Sequence, residues 1–400
     1  MSHTNNTFLP SGRIDLGTGE LALGPLDGRY ASVTAPLTNY LSEAALNRDR
    51  IHVEVEWFIY LCEHEVLPGL SPLSEEQKKG LRAIVTDFNA DSVAELAEIE
   101  AVTVHDVKAV EYYIGRRLEG LGLGHLVPLV HFGCTSEDIN NLSYALGIKD
   151  AVENVWIPAA EELIDVLLKL AEDGRAVPML CRTPGPTATP TPLGKELGVL
   201  AYRLKRQVKH VKATEFLGKI NGATGTYAAH YASVPSTDWQ KISRGFVEHL
   251  GLTWNPLTTQ IESHDWQAEL YSDVARYNRI AHNLATDVWT YISLGYFHQR
   301  LSAQGSTGSS TMPHKVNPIR FENGEANFEI SCALLDSLAA TLVASRLQRD
   351  LTDSTTQRNV GVALGHSLLA ISNVRGGLGG LDVDERRLAE DLDATWEVLG

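Results

Sequence analysis

The sequence predicts an all-α fold in which a central bundle of long helices is flanked by smaller helical domains. Apolar residues recur at three- and four-residue steps through most of the chain, which is the spacing of one buried helix face. Several of these segments are long, and few stretches show the alternation that strands need. Long helices of this kind usually bury more faces than one chain supplies, so we expect an oligomer.

Three shorter helices are predicted in the first third of the chain. The first has a buried stripe formed by Leu41, Ala44, Ile51, Val55, Phe58 and Cys62. Ser74 followed by Gln77 indicates a capping box at the start of the second helix. The third runs from His105 to Leu118.

Longer helices follow, predicted over 136–172, 191–214, 265–301, 319–345 and 354–375. Glycine-rich breaks lie near 125, at GLGLGH, and near 376, at GGLGGLD. We therefore expect an N-terminal helical domain over 1–125, a central long-helix bundle over 126–375 and the start of a C-terminal helical domain over 376–400. A last helix is predicted after Asp384, and the chain stops inside it as if truncated.

Composition and charge exclude several classes of protein. Of 400 residues, 44% are apolar and 21% charged, as in ordinary globular proteins, and the net charge of −16 argues against nucleic acid or an anionic membrane as partner. No apolar run approaches the roughly 20 residues that span a bilayer, and no secretory signal is visible. The scattered cysteines Cys62, Cys134, Cys181 and Cys332 fit buried free thiols in the cytoplasm, with no metal cluster.

The segment 308–323, GSSTMPHKVNPIRFEN, is the most informative of the chain. Gly308 permits backbone angles that other residues resist, and Ser309 beside it suggests an exposed hydroxyl on a loop. Lys315 lies six residues further on and could supply positive charge to an anion held there. A surface loop between two helices is the alternative for such a segment.

Two polar clusters coincide with predicted helix starts. TSEDIN, from Thr135 to Asn140, fits either an N-cap or a carboxylate site, because free N–H groups and hydroxyls suit both. His105 and Asp106 open another helix, where capping is again the alternative to a functional role.

Three further clusters contain groups that bind anions or amides. Arg349 and Arg358, in SRLQRDLTDSTTQRN, could converge on a phosphate or form a solvated charged face. DGRY, which ends at Tyr30, places an arginine beside a phenol. Gln260, in TTQIESHD, could hydrogen-bond an amide or a carboxylate. None of these clusters decides a function alone.

Together the motifs occur in the order and approximate spacing of adenylosuccinate lyases, and this resemblance runs from Gly24 to Gly400. GSSxMPxKxNP resembles the signature loop of the fumarase/aspartase superfamily. DGRY and the SRxQRDLTDST block resemble that one family within it. Fumarases, aspartases and argininosuccinate lyases share the signature loop and lack these flanking motifs.

The resemblance implies a fumarase/aspartase-type fold and a β-elimination that releases fumarate from adenylosuccinate and from the related succinyl-carboxamide nucleotide of purine synthesis. A base removes a proton beside a carboxylate, the carbanion is stabilised, and an acid protonates the departing nitrogen. The resemblance also implies no cofactor, no metal, and a homotetramer whose sites take residues from three subunits.

Roles are implied for matching positions only. The base is Ser309, activated by Lys315. The groups that hold the succinyl carboxylates are Thr135, Ser136, Ser310, Lys315 and Asn317, and those that orient the same region are Gln260 and Asn323. The groups that hold the nucleotide phosphate and ribose are Arg29, Tyr30, Arg349, Ser354 and Arg358. His105 and Asp106 lie against the nucleotide or the transferred proton. Glu322 matches the carboxylate that supports the acid.

The chain departs from the family pattern at the acid itself. The family has a histidine in R-T-H-G-Q-P-A-T-P, whereas here Pro184 stands at that position and Pro186-Thr187 replaces Gln-Pro. Proline has no titratable group, so it cannot protonate the leaving nitrogen. Val104 also stands just before the His105-Asp106 pair, where the family commonly has an asparagine. A lyase with a local sequence error, a weakened enzyme, a nucleotide-binding paralogue without activity, and another fumarate-releasing lyase such as an argininosuccinate-type enzyme all stay open.

Overall fold

The computed structural model describes residues 22–300 and 316–399, and its first part is a cluster of five helices. They are α1 (Ala31–Leu41), α2 (Glu43–Glu63), α3 (Glu75–Thr86), α4 (Ala90–Thr103) and α5 (Asp106–Gly120). The predicted capping box is confirmed, because the Ser74 hydroxyl accepts from Gln77 N (3.2 Å) and the Gln77 side chain accepts from Ser74 N (2.9 Å). Ser42 caps α2, so Leu41 belongs to the preceding helix.

The remaining helices form the long bundle and its attachments. They are α6 (Ser136–Ala151), α7 (Ile157–Asp173), α8 (Leu193–Lys212), α9 (Ala228–Ser233), α10 (Trp239–His249), α11 (Asp265–Ser293), α12 (Ile319–Leu342), α13 (Thr352–Gln357), α14 (Val360–Leu378) and α15 (Glu385–Asp393). A π-helical turn, Val152–Trp156, joins α6 to α7. Two 3₁₀ turns cover Gly124–Leu129 and Trp396–Leu399.

Six short strands pair in three two-stranded sheets. They are β1 (Pro178–Arg182), β2 (Thr187–Pro192), β3 (Leu217–Gly218), β4 (Thr253–Trp254), β5 (Phe297–Gln299) and β6 (Leu381–Val383). β1 and β2 form an antiparallel hairpin, β3 pairs parallel with β4, and β5 pairs antiparallel with β6.

The all-α prediction is confirmed, with errors at element ends. The prediction over 265–301 was wrong at its end, because α11 stops at Ser293 and β5 follows. The single helix over 354–375 is two helices, interrupted at Arg358–Asn359. The prediction over 319–345 ran three residues past the end of α12. The domain limits near 125 and 376 stay predictions. Position 125 lies in a 3₁₀ turn, and position 376 lies in the last turn of α14.

Two hydrophobic cores share α2. Ile51, Val55, Phe58 and Cys62 of the predicted stripe are buried among α3, α4 and α5. The opposite side of α2, including Trp57, faces the larger core of the bundle. Within the bundle, α12 packs against both α11 and α14. Gly324 permits the close approach of α12 and α14, because a Cβ there would lie 2.5 Å from Val374 Cγ2.

Two sequence expectations concern cysteines and membranes. All four thiols are free, but only Cys62 and Cys332 are buried. Cys134 and Cys181 are half-buried, which corrects the expectation for those two. Within the described residues, every helix is too short or too polar to cross a membrane.

Candidate active site

A cleft of about 320 Å³ brings together side chains from α2, α4, α5, α6 and α13 with their flanking loops. It is lined by predicted site residues, namely His105, Asp106, Ser136, Arg349, Ser354 and Arg358. Its volume lies in the range of small-molecule sites, roughly 300–1,000 Å³. Predicted residues as far apart in the sequence as Asp106 and Arg358, which are 252 positions apart, therefore meet at one place.

Two helices begin at this cleft. His105 caps α5, since its Nδ1 accepts from Lys108 N at 3.2 Å. Thr135 precedes α6, and its N–H donates to Asp138 Oδ2 at 2.8 Å. Ser136 Oγ lies 3.5 Å from His105 Nε2. Helix N-termini carry partial positive charge and unused N–H groups, so this arrangement favours an anion.

The start of α6 is anchored from behind by a buried ion pair. Lys219 Nζ donates to Asp138 Oδ1 at 2.8 Å, and neither side chain is exposed to solvent. Asn221 N donates to the same oxygen at 2.9 Å. Because these donors satisfy the carboxylate, the first turn of α6 is fixed relative to the segment 217–222.

Asp106 joins two arginines on one side of the cleft. Its Oδ2 accepts from Arg50 Nη2 at 2.8 Å and from Arg358 Nη2 at 3.0 Å. Burial alone would raise the pKa of Asp106, but the charges of Arg50 and Arg358 and a hydrogen bond from Val107 N lower it below the ordinary value. The Arg358 guanidinium also binds Glu43.

On the opposite side, Arg349 binds three groups. Its Nη2 donates to Glu137 Oε1 at 2.8 Å and to Ser354 Oγ at 3.0 Å. Its Nη1 donates to Gln260 Oε1 at 3.3 Å, which brings that predicted residue to the edge of the cleft. Glu137 connects this side to the other, because its Oε1 also accepts from Asn140 Nδ2 at 2.7 Å.

Sequence reasoning missed several cleft residues, namely Arg50, Glu100, Glu137, Asn140, Tyr144, Leu351 and Gln357. Glu137 and Asn140 lie inside TSEDIN, so their motif was recognised but their roles were not. Arg50 is 1% exposed and donates to Asn140 Oδ1 at 2.9 Å. Its place in a helix gave no sign of burial, since charged residues in helices usually face solvent.

A second group of predicted residues lies outside the cleft. Tyr30 Oη accepts from Asn323 Nδ2 at 3.2 Å, and the Arg29 guanidinium carbon is 5.7 Å from the Tyr30 ring centroid. Tyr30 precedes α1, and Glu43, which the Arg358 guanidinium contacts, follows it, so about 16 Å of helix lies between Tyr30 and that contact. One chain therefore does not bring Tyr30 to the cleft arginines.

A third group lies at the far end of the bundle. Glu322 Oε1 accepts from Trp289 Nε1 at 3.1 Å, close to the end of α11, and Asn317 is exposed just before α12. Gln299 Nε2 donates to Val316 O at 3.0 Å, which holds together the described residues on either side of the segment 301–315 that contains most of the signature loop. The predicted Ser309, Ser310 and Lys315 lie outside the described residues.

Pro184 is at the same far end. It lies between β1 and β2 at the exposed tip of their hairpin. Arg182, at the base of the tip, is 3.7 Å from Asp391 Oδ2, which also accepts from Tyr296 Oη at 2.6 Å. The hairpin therefore packs near the C-terminal end of α11, where Glu322 is found.

The length of α14 separates the two ends. Arg358 precedes this helix, whereas β6, which pairs with β5 at the base of the signature loop, follows it. Nineteen residues of helix span about 28 Å. In one chain the cleft and the loop base are therefore at opposite ends of the bundle.

Comparisons with known proteins agree with this arrangement of motifs. Residues 28–329 match a family model described as lyase, and residues 345–400 match one described as adenylosuccinate lyase C-terminal. The chain is 46% identical over 379 residues to the adenylosuccinate lyases of Haemophilus influenzae and Escherichia coli K12. Each alignment covers 94% of this chain and 83% of the relative.

Solved structures show the same fold. A fumarate lyase from Mesorhizobium sp. BNC1 superposes with a TM-score of 0.71 at 19% identity, covering 90% of this chain and 78% of that one. A β-carboxy-cis,cis-muconate cycloisomerase from Acinetobacter calcoaceticus sp. ADP1 gives 0.71 at 17% identity, covering 92% and 80%. The family follows from the closer sequence relatives: this chain belongs to the adenylosuccinate lyases, within the fumarase/aspartase superfamily.

Proposed function

We propose that this chain is a C–N lyase that cleaves adenylosuccinate to AMP and fumarate, and the succinyl-carboxamide ribonucleotide to its carboxamide and fumarate. The observation that carries the proposal is the cleft, where two helix N-termini and three arginines meet in a chain 46% identical to adenylosuccinate lyases. A substrate with a phosphate and two carboxylates matches these donors.

In the proposed reaction, the Ser309 oxygen takes the proton from the carbon beside a succinyl carboxylate. The C–N bond then breaks, its electron pair goes to the nitrogen, and that nitrogen needs a proton. Lys315 would favour the serine alkoxide, and Thr135, Ser136, Ser310 and Asn317 would hold the carboxylates. Gln260 and Asn323 would orient the same part of the substrate.

The nucleotide would be held by the arginines, with Ser354 and Tyr30. His105 is half exposed at the mouth of the cleft, where it would lie against the nucleotide or the transferred proton. Asp106 carries a lowered pKa and therefore stays ionised, which fixes Arg50 and Arg358. Removing either arginine would leave this carboxylate with one close guanidinium instead of two.

We also propose that complete sites form between subunits of a homotetramer in the cytoplasm. In one chain the cleft and the base of the signature loop are separated by the length of α14. Packing the cleft end of one bundle beside the loop end of another would bring His105 and Ser309 to one substrate. Unpaired cysteines are consistent with a reducing compartment.

Pro184 favours a second candidate, a catalytically impaired protein that still binds nucleotide. The tip of the hairpin presents no group that can donate a proton from this position. Loss of a general acid typically lowers a rate by about 10²–10⁴-fold. We therefore propose slow turnover by the chain as it stands, with nucleotide binding retained.

The test is fumarate release from adenylosuccinate and, separately, from argininosuccinate, by the purified full chain. A second protein carries Pro184→His, Pro186→Gln and Thr187→Pro, and a third carries Thr183→His as a control for adding an imidazole at the tip. We expect fumarate from adenylosuccinate alone and a kcat raised about 10²–10⁴-fold in the triple variant, with KM little changed.

Release from argininosuccinate would overturn the substrate assignment. Equal stimulation by Thr183→His would refute the specific role of position 184. If no form releases fumarate and AMP still raises the melting temperature, the nucleotide-binding candidate replaces the lyase.

A further inference from the structure

Four polar side chains form a continuous hydrogen-bonded chain that ends at Tyr30. His366 Nδ1 lies 2.8 Å from Asn327 Oδ1. Asn327 Nδ2 lies 3.1 Å from Asn323 Oδ1, and Asn323 Nδ2 lies 3.2 Å from Tyr30 Oη. The chain crosses from α14 through α12 to the residue before α1. Its inner end is buried, with His366 6% and Asn327 8% exposed.

One backbone carbonyl fixes the direction of every bond in the chain. Asn327 Nδ2 also lies 2.8 Å from the Asn323 carbonyl oxygen, which can only accept. The end of the Asn327 amide that faces Asn323 must therefore be its NH₂ group. Its oxygen consequently faces His366, and His366 must carry a hydrogen on Nδ1.

The same reasoning continues to the phenol. Because the NH₂ group of Asn327 faces the Asn323 side chain, that side chain presents its oxygen to Asn327. Its own NH₂ group then faces Tyr30, so the phenol oxygen accepts. The hydroxyl hydrogen of Tyr30 is left to donate, and no described residue accepts it.

We propose that Asn327 and His366 are positioning residues that hold Tyr30 as a hydrogen-bond donor to an anionic oxygen of the nucleotide. This inference rests on the proposed function and deepens it. The positive charge of Arg29 beside the Tyr30 ring favours an anionic acceptor, such as a phosphate oxygen, over a neutral one.

His366 keeps the chain in place at its buried end. Burial lowers the pKa of His366, so the ring is neutral and has a single N–H to give. The oxygen of Asn327 takes that N–H. Without the His366 N–H, the Asn327 oxygen is buried with no other donor among the described residues. The Asn327 amide then loses the contact that holds it against Asn323.

The test measures AMP binding to the full chain by calorimetry, which does not depend on turnover. Tyr30→Phe removes the donor, and we expect Kd to rise about tenfold, as for a hydrogen bond to a charged group. Asn327→Leu has a similar volume and no polar atoms, and we expect a rise of about three- to tenfold. Circular dichroism melting confirms that both variants fold.

A double variant separates positioning from a merely structural role. If Asn327 acts through the phenol, adding Asn327→Leu to Tyr30→Phe changes Kd by less than about twofold. Additive losses would mean that Asn327 supports the site in general, and would overturn the proposal.

Two exchanges at His366 form a matched pair. The amide nitrogen of asparagine occupies the place of Nδ1, so His366→Asn should keep Kd within about twofold of the unchanged chain, while His366→Leu should behave as Asn327→Leu does. Equal losses in both would contradict the proposal. No AMP binding by the unchanged chain would overturn the proposed function as well, whereas normal binding in Asn327→Leu would overturn this inference alone.

Discussion

Val104 holds a backbone conformation that its side chain disfavours. It ends α4 with φ of 53°, in the left-handed region, and its side chain is 87% exposed beside the cleft. A β-branched residue is rarely found there, whereas asparagine is several-fold enriched. An asparagine here, which the family resemblance implies, would relieve this conformation.

We expect Val104→Asn to raise the free energy of unfolding by about 1 kcal/mol, because left-handed strain in a non-glycine residue costs about 1–3 kcal/mol. Val102 is 84% exposed in the last turn of α4 and is the matched control. Val102→Asn should give no gain, since asparagine is no better a helix former than valine. Thermal denaturation checks both. Equal shifts in the two variants would contradict the strain argument.

His131 provides a prediction on pH. Its Nδ1 is 2.5 Å from Glu54 Oε1, whose side chain is fully buried. Burial alone would lower the pKa of His131, but the charge and hydrogen bond of Glu54 raise it above the ordinary value. A raised folded-state pKa means that the pair stabilises fully below about pH 6.5, and that this contribution is lost as pH rises through the folded-state value.

His131→Asn tests this sign, because asparagine tolerates the φ of 62° at this position. The difference in unfolding free energy between the unchanged chain and the variant should be larger at about pH 6 than at about pH 9. Denaturant titrations at both values measure it. A difference that grows with pH would show that the pair does not favour the imidazolium.

At the scale of elements, a buried polar network fixes how the bundle helices meet. Trp156 Nε1 donates to Ser367 Oγ at 2.8 Å, and that hydroxyl donates to Asn278 Oδ1 at 2.8 Å. Asn278 Nδ2 in turn donates to Ser331 Oγ at 3.0 Å. The network joins the π-helical turn to α11, α12 and α14, so a shift of one helix would break it.

Ser367→Ala should lower the free energy of unfolding by about 2–4 kcal/mol, because it leaves two buried groups without their partner. Ser143→Ala is the control: that serine is also buried, and among the described residues its hydroxyl bonds to Ile139 O of its own helix alone, at 2.8 Å. We expect a loss below about 1 kcal/mol there. Similar losses in both variants, measured by denaturant unfolding, would show that the network adds nothing specific.

Periodicity predicted the long helices well, because each buries a continuous stripe. It failed where distant segments decide the structure. β5 exists because residues 381–383 pair with it, and a pattern read over 265–301 contains no trace of that strand. The hairpin 178–192 was missed because its prolines and threonines do not alternate with apolar residues. The interruption at Arg358 coincides with contacts to Glu43 and Asp106.

Motifs predicted the candidate site better than they predicted its geometry. His105, Ser136 and Arg349 meet in one cleft, while the roles that the family resemblance implies for them stay predictions. That Arg50 completes the cleft could not be predicted, since only the fold buries it. Nor could the sequence reveal that Tyr30 is separated from the arginines by the length of α1.

For the whole molecule, the separation between the two ends of the bundle is the main feature. The cleft lies before α14, and the hairpin, Glu322 and the base of the signature loop lie beyond it, about 28 Å away. A reaction that needs groups from both ends requires chains packed with opposite ends together. Symmetric oligomers provide that arrangement, because one interface is used by both copies.

The most direct measurement mixes two variants that each lack one end of the site. His105→Asn keeps a residue that caps α5, and Ser309→Ala removes the proposed base. Both are made in the more active of the unchanged and Pro184-repaired chains, co-expressed with different tags, and purified as mixed oligomers. Fumarate release from adenylosuccinate is then compared with that of each variant alone.

We expect each variant alone to be nearly inactive and the mixed oligomers to recover about one quarter of the parent activity, because about a quarter of sites take His105 from a Ser309→Ala chain and Ser309 from a His105→Asn chain. Mixed oligomers that contain both chains and remain as inactive as the single variants would contradict a site shared between subunits.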